Sequence, residues 1–164
     1  MTEFLNWVSH TALSMWVRES PSIFAYPTIL FLHTMGLAFL VGPSFGIVAR
    51  VLGMAPGLPL APLEKFFRVM WIGFWINVVS GVVLLLAHAT TVLLNWDFYM
   101  KLGFITAAVV LLRALRKRLF CDAATPRKTK LLGIALLFCW AGAITAGRLM
   151  AYLGMRSGIV AQKN

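Results

Sequence analysis

Four long apolar runs occupy most of this 164-residue chain, at about 23–48, 66–89, 99–115 and 131–153. About 20 consecutive apolar residues are enough to cross a bilayer as a helix. In lipid a helix satisfies every backbone N–H and C=O internally, so the runs predict four membrane-spanning helices. Composition agrees. The chain is 60% hydrophobic and 12% charged, roughly half the charge of an ordinary soluble domain. So much apolar surface cannot be hidden inside a soluble core of this size, and lipid must serve as part of the solvent.

Residues 2–19 read as an amphipathic helix preceding the spans. Phe4, Leu5, Val8, Ala12, Met15 and Trp16 recur on one face, with Glu3, Asn6, His10 and Ser14 opposite. Such a helix lies in the membrane interface. It does not read as a signal peptide, because Glu3 stands where a basic segment belongs and polar residues interrupt the apolar stretch. The expected fold is therefore all-α, a single integral membrane domain over 1–164: a four-helix bundle with an N-terminal interfacial helix.

The net charge of +10 does not point to nucleic acid, because the cations cluster between spans, where topology accounts for them. Arg50, Lys65, Arg68, Arg113, Arg116, Lys117, Arg118, Arg127, Lys128 and Lys130 flank the first and third connections. The opposite side carries Arg18, Lys101, Arg156 and Lys163. Ten against four predicts cytoplasmic basic loops in a bacterial inner membrane, with both termini periplasmic.

Several chemistries are missing from the pattern. There is no Ser/Cys–His–Asp signature and no Gly-rich phosphate loop. Glu3, Glu19, Glu64, Asp97 and Asp122 all lie outside the apolar runs, which argues against a carboxylate proton relay. Cys121 and Cys139 lack metal or redox spacing and read as free thiols.

The informative residues are the ionisable ones within or beside the spans, where charge is costly and function is the default hypothesis. His33 lies ten residues into the first run, roughly 15 Å from its outer end. Arg148 lies roughly 8 Å inside the outer end of the fourth. His88 and Lys101 flank the second connection. Helical spacing adds Asn77, Ser80 and Gly81 on the His88 face, and Thr145 and Tyr152 on the Arg148 face. If these faces point inward, a polar pocket opens in the outer half.

Each residue also has a plainer reading. Asn77, Ser80 and Thr145 suit interhelical hydrogen bonding. Lys101 can snorkel to the interface, and His88 can be an ordinary interfacial histidine. Gly42 with Gly46, and Ala143 with Gly147, suit close helix packing.

Two chemistries would use the pocket. His33 and His88 are a candidate ligand pair for the iron of a b-type haem, with Arg148 and Lys101 receiving propionates and Gly36 and Gly81 clearing room. The depth of His33, well below His88, counts against that pairing and keeps one-histidine ligation open. Alternatively, His33 exchanges protons with a quinol or quinone while Arg148 polarises its oxygen.

The segments LHTMGLAFLVG at 32–42, WINVVSG at 75–81, FYMK at 98–101 and WAGAITAGR at 140–148, running on to Tyr152, resemble a bacterial family of uncharacterised four-span integral membrane proteins. More distantly the chain resembles CopD-like membrane proteins and b-type cytochrome bundles, where a histidine also occurs in the first span. The nearer resemblance implies the four-span fold and no assigned activity. Three functions follow as expectations: an electron-transfer component holding haem b or quinol; a non-catalytic accessory subunit packed against other membrane proteins; and, ranked last, a transport or metal-handling protein.

Overall fold

The computed structural model describes residues 10–93, 95–120 and 126–161, with backbone alone for 60, 61, 90, 91, 151 and 153–161. The described residues are mostly helical, with no strand among them. In chain order the helices are α1 (Ala12–Glu19), α2 (Tyr26–Leu52), α3 (Leu60–Ala87), α4 (Ala89–Val92), α5 (Trp96–Phe120) and α6 (Pro126–Ala161). Four stretches, Tyr26–Leu52, Pro62–Ala87, Trp96–Phe120 and Pro126–Met150, are long and apolar enough to cross a membrane. The fold is thus all-α with four candidate spans.

The spans differ from the sequence expectation mainly at their ends. The third extends to Phe120 because Arg113, Arg116, Lys117 and Arg118 continue the helix beyond its apolar part. Arginine and lysine are good helix formers, and cations suit the negative C-terminal end of the helix dipole. Charge thus marks where lipid ends but not where the helix ends. The second stops earlier than expected, at Ala87, which leaves His88 at the N-cap of the short helix α4 with φ −130° and ψ 33°.

Large apolar side chains point outward, the reverse of a soluble protein. Ile23 and Phe24 are 76% exposed, Phe138 69% and Trp75 60%. Exposed hydroxyls on the spans are satisfied by their own helices: Thr34 donates to Leu30 O, Thr106 to Leu102 O and Thr145 to Ala141 O, at 2.8–2.9 Å. This four-residue back-bond lets a polar side chain face lipid.

The chain divides into two compact units, residues 1–43 with 64–94 and residues 44–63 with 95–164. Helix α2 contributes to both, and Pro43 inside it ends the first.

In the first unit α1 packs through Ser14 and Val17, both 0% exposed, while Met15 and Trp16 are exposed. Ser14, expected on the outer polar face, is therefore buried. The Ser14 hydroxyl donates to Leu86 O at 3.0 Å. Leu86 lies in the last turn of α3, where a helix carbonyl has no intrahelical donor. An unpaired carbonyl draws the one hydroxyl of α1 inward and leaves the apolar face outside. His10 is exposed, as expected, and residues 2–9 of the expected helix lie outside the described residues. Ser14→Ala is expected to loosen α1 by about 1 kcal/mol, the net worth of one buried hydrogen bond. Faster protease cleavage near Glu19 in detergent would register it; unchanged cleavage would remove the tether from the account.

In the second unit α5 packs against α6. Ala108, Leu112 and Leu115 of α5 are buried, as are Leu136, Trp140, Ala143 and Ala146 of α6. Recurrence at three and four residues makes a stripe along each helix. Gly142 leaves room for the Phe104 ring, since an added Cβ would sit 2.8 Å from Phe104 Cε1. The Trp140 indole N–H is buried without a hydrogen-bond partner among the described residues.

Candidate functional site

The first unit contains a dense polar cluster, built where α2 meets α3 backbone to backbone. A Cβ added to Gly36 would lie 2.7 Å from Asn77 N and 2.8 Å from Gly73 O. One added to Gly73 would lie 2.7 Å from Phe39 Cβ and 2.8 Å from Gly36 O. Only glycine permits such an approach. Gly36 therefore clears room for the neighbouring helix rather than for a porphyrin. Gly42, expected to pack closely, has nothing within 4 Å.

One turn from this contact, His33 reaches across to α3. Its Nδ1 lies 3.1 Å from Asn77 O and 3.1 Å from Ser80 Oγ. The Asn77 side-chain amide returns a bond from Nδ2 to His33 O at 2.8 Å. Asn77 and Ser80 are buried and His33 is half-buried. Gly81 fits the imidazole edge, because a Cβ there would meet His33 Cε1 at 3.1 Å.

These contacts assign the tautomer. A backbone carbonyl can only accept, so the Asn77 O contact requires a proton on Nδ1. Ser80 reinforces this, since its hydroxyl proton goes to Ile76 O at 2.6 Å or Asn77 O at 3.2 Å, which leaves a lone pair toward Nδ1. In the neutral ring, Nε2 then carries the acceptor lone pair. An N–H from one ring nitrogen to a backbone carbonyl is the arrangement that orients metal-binding and proton-accepting histidines.

His88 belongs to a different level. Its ring stands edge-on to Tyr26, with centroids 6.0 Å apart. Tyr26 precedes His33 by seven residues of α2, about 10 Å along the axis. His88 thus packs about two turns from His33 along α2, a difference in level that counts against one iron shared by both imidazoles.

Lys101, Arg148 and Tyr152 belong to the second unit. Lys101 is half-buried and crosses Gly147, its Nζ 3.5 Å from where a Cβ would be. Arg148 and Tyr152, expected to face inward, are exposed. The buried stripe through Leu136, Trp140, Ala143 and Ala146 occupies the packed side of α6. At 3.6 residues per turn, Arg148 lies roughly 140° and Tyr152 roughly 180° from Ala143. Thr145 is exposed too and bonds its own helix. Thr145, Arg148 and Tyr152 share one face of α6, and it is not the packed face.

Among the described residues no three His, Cys, Asp or Glu side chains gather as a metal site. Cys139 is a free thiol, as expected, and Cys121 lies outside the described residues.

No family model, curated protein or solved structure matches this chain.

Proposed function

We propose that this multi-pass membrane protein is a small electron-transfer component, and that His33 Nε2 is the atom that meets its redox partner, a b-type haem or a quinol. The observation that carries the reading is the contact of His33 Nδ1 with Asn77 O and Ser80 Oγ, from which the proton on Nδ1 is inferred. A histidine oriented in this way offers a directed lone pair at low reorganisation cost, which suits either an axial ligand or the acceptor for a quinol hydroxyl proton. The difference in level between His33 and His88 counts against haem held by both. Haem ligated by His33 alone fits the donor chemistry, and when bound it would supply one-electron transfer. A quinol dissolved in the bilayer would reach the half-buried imidazole from the lipid side.

The test is the optical spectrum of the purified protein, oxidised and then reduced with dithionite, alongside quinol binding in detergent. A haem band, or quinol binding without one, supports the redox reading. Neither signal, in protein purified under mild conditions with haem and quinol supplied, overturns it.

A second reading is a non-catalytic subunit of a larger membrane complex. It is favoured by the exposed Arg148 and by Tyr152, 63% exposed. Lipid serves a cation poorly at depth, whereas a partner subunit can pair it.

The bacterial inner membrane with both termini periplasmic remains the reading of the cation asymmetry. A reporter fused after Asn164 is expected to be active only if it works in the periplasm. Activity of a strictly cytoplasmic reporter there would invert the topology.

A further inference from the structure

We propose that the second unit binds an anionic phospholipid in the groove between the C-terminal end of α5 and the N-terminal end of α6. A cavity of about 420 Å³ opens there, lined by Ala114, Arg118, Lys128, Leu131, Leu132 and Ala135. Its composition is divided by level. Ala114, Leu131, Leu132 and Ala135 form an apolar floor on the span side, and Arg118 and Lys128 stand at the helix ends. Among the described residues, neither cation has a hydrogen bond or an ion pair with a carboxylate.

The position selects the occupant. α5 ends at Phe120 and α6 begins at Pro126, so Arg118 and Lys128 lie where a span leaves the hydrocarbon and meets the headgroups. A ligand here must be negative at one end and apolar at the other, and must reach the groove sideways from the bilayer. A phospholipid with net negative charge meets all three conditions, its phosphate against the Arg118 guanidinium and Lys128 ammonium and an acyl chain along Leu131 and Ala135. Basic pockets between spans at a membrane face hold such headgroups. The nearby Arg113, Arg116, Lys117, Arg127 and Lys130 raise the local potential but do not line the cavity. They attract anionic lipid generally, whereas Arg118 and Lys128 place one molecule.

Native mass spectrometry of the full chain in detergent tests this, with phosphatidylglycerol as the probe and zwitterionic, net-neutral phosphatidylcholine as the control. Wild type is expected to retain phosphatidylglycerol in preference to phosphatidylcholine. Arg118→Gln with Lys128→Gln is expected to weaken phosphatidylglycerol about 25-fold, taking about fivefold per lost cation, and to leave phosphatidylcholine unchanged. Lys117→Gln with Lys130→Gln, equal in charge removed but outside the cavity, is expected to cost at most about fivefold in total. Ala135→Trp fills the apolar floor and is expected to displace the lipid with every cation intact. Millimolar inorganic phosphate is not expected to compete, and competition by it would assign the site to a free anion. Equal losses in the two double variants, or no preference for phosphatidylglycerol in wild type, would also overturn the proposal. Far-ultraviolet circular dichroism of each variant separates lost binding from lost fold.

Discussion

Gly36→Ala is expected to lower stability sharply for the addition of a single methyl group. The added carbon would meet Asn77 N at 2.7 Å and Gly73 O at 2.8 Å. Both are backbone atoms, so no side chain can rotate aside, and α2 and α3 must separate. Overpacking of this kind costs about 1–3 kcal/mol. Separation also stretches the hydrogen bonds one turn away, at His33 Nδ1 and Asn77 Nδ2. Gly42→Ala, in the same helix with open space around it, is expected to be neutral or slightly stabilising, because alanine favours a helix by about 0.5–1 kcal/mol over glycine. Thermal unfolding in detergent, followed by circular dichroism, gives the comparison. Equal midpoints for the two variants would mean that the helices do not touch at Gly36.

Gly36 and Gly42 are alike in sequence and differ only in what the fold places beside them. Span number and approximate position were legible, because hydrocarbon imposes length and apolarity on each helix separately. So was the likelihood that a mid-span histidine has partners: His33 binds Asn77 and Ser80, two residues already on one face by spacing. Which glycine faces a neighbour was not legible. That depends on how two helices cross, and both glycines look alike in an apolar run. The packed face of α6 was not legible for a related reason. Lipid is a poor solvent for polar groups, which by itself favours an inward face for Arg148, Thr145 and Tyr152. Yet Thr145 solves that problem within its own helix, and the stripe of Leu136, Trp140, Ala143 and Ala146 takes the packed side. The burial of Ser14 depended on an unpaired carbonyl at Leu86, 72 residues away in sequence, which no local pattern reports.

His33→Ala is expected to abolish haem or quinol binding while leaving the protein inserted and folded. The separation is possible because the cluster has two independent halves. The imidazole supplies the contacts to Asn77 O and Ser80 Oγ, but the bond from Asn77 Nδ2 ends on the backbone carbonyl of residue 33 and survives any substitution there. The glycine contact between α2 and α3 also survives. Loss of the side chain should therefore cost only about 1 kcal/mol of stability. The loss of the Nε2 lone pair, by contrast, is complete. His88→Ala is expected to leave the redox signal nearly intact, because His88 packs with Tyr26 at another level, and His10→Ala is expected to change neither signal nor stability. The paired readout, cofactor signal against unfolding midpoint, distinguishes the two readings of the chain. If His33→Ala lowers the midpoint and leaves a wild-type haem or quinol signal, then His33 is an interhelical clamp and the redox partner lies elsewhere. If His88→Ala removes the signal as completely as His33→Ala, both imidazoles take part. The arrangement in which each keeps its own level would then have to be abandoned.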